Sequence, residues 1–306
     1  MQMKNCIILT MILSLLIALT ACSQAMPGQG QERERELQQD SEQEPASQGG
    51  GASAAGGSGA TVTDAAGATF KIPSDASEIK IASVYGVAVP FIVALGLSGR
   101  TVAVNPKSVF WKDNVSGFKD VPMVGRGSVD LEKLAAAEPG VLVHRTGDAE
   151  TVAAVERLKI PVLCISAEDI EGVSATLELI GAYCGADARA EEVKAYLDTK
   201  FDMIEGIVST IPESERRTAL VLGSETGRVA GGDMLQNAML RRAGATDIMG
   251  DVKNNGTWSD IGTENVFAKN PDYIFCTSSA RLSYDPDKLS SESAWSAMKA
   301  VKNGHV

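Results

Sequence analysis

The sequence is short of the residues that most metal and hydrolytic chemistry requires. Only two histidines occur, His144 and His305, so a three-histidine zinc centre within one chain is excluded. Uptake of bare zinc or manganese, which generally wants several histidines, is disfavoured on the same ground. No Gly-x-Ser-x-Gly elbow is present, and Gly223-Ser224-Glu225-Thr226-Gly227 has the wrong order. A hydrolase is the main rival reading and fares poorly, with His144 the sole histidine well inside the fold and no matching nucleophile. Basic residues are in deficit: 28 Lys and Arg stand against 39 Asp and Glu, a formal net charge of −11. Such a chain lacks the basic face that a nucleic-acid binder needs. Five cysteines form no C-x-x-C pair, which removes a metal knuckle and a disulfide framework.

What is present is ordinary globular material. Hydrophobic residues are 44% and charged residues 22% of 306, which fits two domains of common size. The first 22 residues differ. Lys4 precedes an apolar run from Cys6 to Leu19, too short to span a bilayer comfortably and suited to the core of an export signal. It ends in Leu19-Thr20-Ala21-Cys22, which resembles the lipobox of bacterial lipoproteins and makes Cys22 the expected acylated residue. An ordinary signal with a chance cysteine is the plainer alternative. A diacylglyceryl cysteine carries at least two chains and so holds a protein where one chain would not. Residues 1–21 are therefore read as signal peptide and 22–60, rich in Gln, Gly, Ser and Ala, as a flexible tether reaching about 35 Å. Of the remaining cysteines, Cys164 and Cys276 lie in apolar strand-like runs and read as small buried hydrophobes, and Cys184 completes an odd number.

From Thr61 the pattern alternates strand and helix. Ile79–Ser83, Val102–Val104, Val141–Val143 and Val162–Ile165 read as strands, with helices over Val87–Leu97, Asp130–Ala137 and Ala149–Leu158 between them. This is the signature of a largely parallel, helix-covered sheet. Helical pattern then runs from Val173 to Cys184 and from Ala188 to about Ile211, with Pro212 following. Alternation resumes with strands Thr218–Leu222 and Tyr273–Cys276 and helices over Met234–Ala243 and near Glu264. The expected fold class is α/β, with two Rossmann-like lobes joined by one long helix and a ligand cleft between the lobes. The boundaries are 61–172 for the first lobe, 173–212 for the helical connection and 213–306 for the second lobe.

An internal repeat supports two lobes. Val129-Asp130-Leu131-Glu132 through Pro139 precedes Val141-Leu142-Val143, and Ile261-Gly262-Thr263-Glu264 through Pro271 precedes Tyr273-Ile274-Phe275, a gapless shift of 132 residues. In each copy a glutamate opens a short helix, a proline ends it, and an apolar strand follows.

These features resemble the substrate-binding proteins of ABC transporters, in the class with a single helical hinge that captures iron-siderophores, haem or cobalamin. The likeness runs from about Thr61 to the C-terminus. It rests on Val62-Thr63-Asp64-Ala65-Ala66-Gly67, Ala94-Leu95-Gly96-Leu97, Asp130-Leu131-Glu132 with Pro139, Ile180-Gly181, Gly256-Thr257-Trp258, Asn270-Pro271-Asp272 and Ala300-Val301-Lys302-Asn303-Gly304. The resemblance implies a binding protein rather than an enzyme, lipid-anchored outside the cytoplasmic membrane. Its partners would be a permease dimer with a cytoplasmic ATPase, with a ferric siderophore as ligand, or haem or cobalamin instead, and no resident cofactor or metal. Family members usually carry a further strand and helix beyond the position of His305-Val306, so the second lobe is expected to be shortened. They also often place a Ser-Pro turn where Tyr85-Gly86-Val87-Ala88-Val89-Pro90 stands here.

In this fold a ligand lies at the carboxyl ends of strands. Tyr85 follows the first strand, Arg145 stands at the end of the strand Val141–Val143, and Arg281 follows the strand ending at Cys276. Arg126 and Trp258 stand six residues before Glu132 and Glu264, in equivalent places on the two lobes. Guanidinium forks suit carboxylates and phenolates, and indole supplies a flat wall. The plainer reading is a solvated arginine and a packed tryptophan, and it leads for Arg281, Trp111 and Tyr284. For Glu132 and Glu264 the resemblance implies docking onto arginines of the permease subunits. The plainer reading is that a glutamate in a first helical turn complements the helix dipole.

Overall fold

The computed structural model describes residues 59–105, 109–125, 128–254, 256–277 and 293–306. The signal segment, Cys22 and the tether up to residue 58 lie outside them, as do Arg126, Arg281 and Tyr284. The chain begins with a hairpin of β1 (Thr61–Thr63) and β2 (Thr69–Lys71). It continues through β3 (Ile81–Ser83), α1 (Ala88–Ala94), β4 (Thr101–Val104), α2 (Val109–Asn114), α3 (Leu131–Ala136), β5 (Val141–Arg145), α4 (Ala149–Glu156) and β6 (Val162–Ile165). The four strands β3 to β6 form one parallel sheet in the order β4-β3-β5-β6.

The continuous apolar runs of this sheet follow from burial on both faces. Val143, Leu163 and Ile165 face α1 and Ile180, while Leu142, Val162 and Cys164 face Leu134 and Val155. Each such side chain contributes roughly 1.5–3 kcal/mol relative to exposure. The outer edge of β6 would present unpaired peptide groups, a hazard that proteins cover. Here Asp64, 6% exposed, supplies the cover. Its Oδ1 accepts from the Ala66 and Ala68 amides and its Oδ2 from the Cys164 amide, each at 2.9 Å, while the Ala65 amide donates to the Cys164 carbonyl. Burial beside Asp64 pushes the Cys164 thiol up to about 11.

The chain leaves the first sheet through α5 (Ile170–Tyr183) and α6 (Asp187–Val208). α5 starts three residues earlier than the pattern predicts because Asp169 caps it, accepting from the Gly172 amide at 2.6 Å. Gly185, at φ +63°, makes the break, and Gly181 lets α6 approach closely, since a Cβ there would lie 2.8 Å from that of Ala190. At 22 residues α6 is about 33 Å long.

The second sheet holds β7 (Thr218–Leu222), β8 (Arg228–Val229), β9 (Thr246–Asp247), β10 (Ser259–Asp260) and β11 (Tyr273–Cys276). Its helices are α7 (Leu235–Arg242), α8 (Thr263–Lys269), α9 (Ser293–Ser296) and α10 (Lys299–Lys302). β7 pairs in parallel with β11 and β9, as alternation predicts, but antiparallel with β8, which carries β10. The second sheet is thus mixed. Cys276 is half-buried rather than fully buried. Trp111, expected in a loop, lies in α2 and packs against the first core, edge-on to Phe110.

The 132-residue repeat is structural. α3 and α8 begin at Leu131 and Thr263, and β5 and β11 at Val141 and Tyr273. Leu134 and Val266 are the buried residues of the two helices. Both helices are followed by a residue at positive φ, Glu138 at 48° and Asn270 at 39°, just before Pro139 and Pro271.

Candidate functional site

The strand order places a switch point beside β3, from which the chain runs to β4 on one side and β5 on the other. Open sheets bind ligands beyond the carboxyl ends of strands at such points. A cavity of about 540 Å³ lies there, lined by Tyr85 and its neighbours after β3, Asn105 after β4, and His144 and Arg145 at the end of β5. Asp148, Thr151 and, from the stretch before α3, Val124, Gly125, Ser128 and Val129 also line it. Gly125, at φ +106°, is required, because a Cβ would collide with the Ser128 carbonyl. Arg126, next to Gly125 in the sequence, lies outside the described residues.

Ser83 fixes the start of the Tyr85 segment: its hydroxyl donates to the Tyr85 carbonyl at 2.9 Å and accepts from the Tyr85 amide at 3.2 Å. The Tyr85 phenol donates to Glu168 Oε1 at 3.5 Å. Burial, with the Glu168 charge beside it, raises the Tyr85 pKa, so the phenol stays protonated as a donor. Burial likewise raises Glu168. Glu168 also meets the chain just before β10, since a Cβ on Gly256 would sit 3.1 Å from its Cβ.

His144 is 5% exposed and stands edge-on to Tyr85, ring centroids 6.3 Å apart. Its Nε2 is 3.0 Å from Asp148 Oδ2, and its Nδ1 is buried with no hydrogen-bond partner. Burial lowers its pKa against the opposing pull of Asp148, so the ring is neutral at neutral pH. For Asp148, burial pushes upward, but hydrogen bonds from His144 and Thr151 outweigh it and hold the carboxyl below its usual range. Asp148 also caps α4 through the Thr151 amide. Arg145, with its side chain 55% exposed, reaches Asp148 at 3.5 Å. Among the described lining residues Arg145 alone is a permanent cation.

The structure therefore brings Tyr85 and Arg145 together. Trp258 does not line this cavity: it is half-buried, its ring over Gly223 at the end of β7, where a Cβ would lie 2.8 Å from Cε3. Its loop is two contacts away, from Gly256 to Glu168 and from Glu168 to Tyr85. The loop is pinned by Asp233, whose Oδ2 accepts from the Asn254 amide at 3.2 Å and the Gly256 amide at 3.0 Å. Glu132 and Glu264 are exposed in the first turns of α3 and α8. The sequence points to Arg145 as a ligand contact, but to its neighbour His144 only in the hydrolase reading and to Asp148 not at all. The signal was there: a histidine on a strand's last turns, four residues before an aspartate in helix-capping position. No group of three or more His, Cys, Asp or Glu able to hold a metal ion occurs among the described residues.

A family model described as periplasmic binding protein matches residues 81–306. An uncharacterized ABC transporter substrate-binding lipoprotein of Bacillus subtilis (strain 168) is 26% identical over 220 residues, 70% of this chain and 67% of that one. A periplasmic solute-binding protein from Veillonella parvula superposes with a TM-score of 0.63 at 22% identity, covering 81% of this chain and 77% of the other. The molybdate-bound periplasmic binding protein of Haemophilus influenzae gives 0.70 at 17% identity, covering 81% and 82%. At these identities the two structures speak for the fold alone.

Proposed function

The chain belongs to the periplasmic binding protein family, the substrate-binding components of ABC importers and not enzymes, and from that premise we propose that it captures a ferric siderophore. It would hand this iron complex to a permease dimer with its ATPase. Residues 61–172 and 213–306 serve as the two lobes, with the stretch 173–212 between them as a stiff connection. Attachment through Cys22 would keep the protein on the outer side of the cytoplasmic membrane. Arg145, Tyr85 and, by its place in the sequence after Gly125, Arg126 are the first-lobe contacts, with Arg281 and, from outside the lining of this cavity, Trp258 from the second lobe. Glu132 and Glu264 are the docking residues.

The observation that carries the reading is the chemistry of the cavity. Its permanent cation is half-exposed, its phenol is protonated and its imidazole is neutral, so the positive charge it offers a ligand comes from a guanidinium fork, with the Asp148 carboxylate beside it. A ferric catecholate or carboxylate complex presents negatively charged oxygen edges of the kind that such a fork binds. Haem is a second reading, favoured by the buried, unpartnered Nδ1 of the neutral His144, since imidazole is an iron ligand. Tryptophan-fluorescence titration of Arg145→Ala separates the two. Loss of one charge-assisted contact should weaken a ferric siderophore about thirtyfold. A variant that binds the complex like the parent overturns the siderophore assignment.

A further inference from the structure

A second cavity, of about 420 Å³, lies where α6 and α7 finish and the chain turns into β7. It shares no residue with the first and holds three arginines, Arg216, Arg241 and Arg242, against one lining carboxylate, Glu205. In a chain with a net charge of −11 such a cluster runs against the overall balance, and three guanidinium groups around one space repel each other.

Part of the cluster has an internal explanation. Arg241 and Arg242 sit in the last turn of α7, where cations complement the helix dipole. Arg241 Nη1 also binds Asp247 Oδ2 at 2.6 Å and the Gly232 carbonyl at 3.1 Å. The rest has none. Arg216 and Arg242 form no ion pair with a described carboxylate, and the Arg216 Nε–H is buried without an acceptor. A buried donor left unmatched costs as much as a hydrogen bond is worth, and native proteins rarely keep one. Arg242 is meanwhile held in a fixed plane, its guanidinium 4.4 Å over the Phe201 ring. One fork is thus pre-set by stacking, one is tied back by Asp247, and the third lacks an acceptor.

We infer that this cavity is an oxyanion site, fitted to a phosphate group, distinct from the capture site at the first sheet. A tetrahedral phosphate offers several acceptor oxygens to converging guanidinium groups, and its charge offsets their repulsion. The group could come from free phosphate or from an anionic lipid headgroup, and the two share this chemistry.

Calorimetric titration of the full chain in detergent with inorganic phosphate, and with short-chain phosphatidylglycerol against the matching phosphatidylcholine, tests the site. Saturable binding weakened about tenfold by Arg242→Gln and Arg216→Gln supports it, as expected for one lost charge-assisted contact. If inorganic phosphate shows that pattern the source is the free ion; if only phosphatidylglycerol shows it, the source is the lipid. Thermal unfolding checks that each variant folds, and the exposed Arg242 decides the matter if Arg216→Gln does not. The inference is overturned if neither anion saturates, if phosphatidylcholine binds as well as phosphatidylglycerol, if both variants bind like the parent, or if Arg145→Gln abolishes phosphate binding.

Discussion

Asp148 stands 3.5 Å from Arg145 and 3.0 Å from His144, so it holds negative charge at the mouth of the capture cavity. Asp148→Asn removes that charge but keeps the shape and a side chain that caps α4 well. An anion seated on the far side of the Arg145 guanidinium lies about 6 Å from the carboxylate. Coulomb's law then gives about 3 kcal/mol of repulsion at an effective dielectric of 20 and under 1 kcal/mol at that of water. The Asp148 side chain is 24% exposed and the cavity is open to solvent, so the screened value belongs near the low end. We expect a gain of about 1 kcal/mol, or about fivefold in affinity, for a ferric catecholate measured by fluorescence or calorimetry. The gain should shrink as salt is added. A cationic ligand should respond in the opposite sense. If Asp148→Asn weakens the ferric siderophore, or changes nothing at low salt, the electrostatic account of the cavity is wrong.

Three further expectations follow from other parts of the molecule. Asp64→Ala leaves three amides without their acceptor and should cost about 3 kcal/mol, lowering the thermal midpoint by about 10 °C in circular dichroism; a loss of only a degree or two would mean the edge of β6 is secured otherwise. Charge reversal of both Glu132 and Glu264 to Lys should abolish uptake in cells while leaving ligand affinity unchanged, because the two residues lie on α3 and α8 and neither lines the cavity. Cys22→Ser should release the protein from the membrane fraction, and mass spectrometry of the parent should find the lipid on that cysteine; a variant that stays with the membrane refutes the anchor.

The strands Val162–Ile165, Thr218–Leu222 and Tyr273–Cys276 were readable to the residue because each is an apolar run bounded by turn-forming or polar residues. The repeat was readable for a deeper reason. A left-handed residue stops each short helix, Glu138 and Asn270 at positive φ, and the proline that follows cannot continue it. β8 and β10 escaped because two residues each leave no periodicity, and their pairing depends on distant chain meeting at Val229 and Ser259. At the site, strand ends pointed to Tyr85 and Arg145. As ligand contacts His144 and Asp148 were passed over because their importance comes from burial and from a contact four residues apart across a strand end and a helix start. The Glu168 contact with Gly256 was hidden altogether, since 88 residues separate the partners.

The central claim is that a ferric siderophore is what this chain captures. The most direct measurement titrates the full chain in parallel with ferric catecholate and carboxylate siderophores, haem and cobalamin, following tryptophan emission. The account predicts tight, saturable quenching by a ferric siderophore and binding at least about tenfold weaker for the others, a gap of about 1.4 kcal/mol. Tight binding of cobalamin or haem with no response to any ferric siderophore would contradict it.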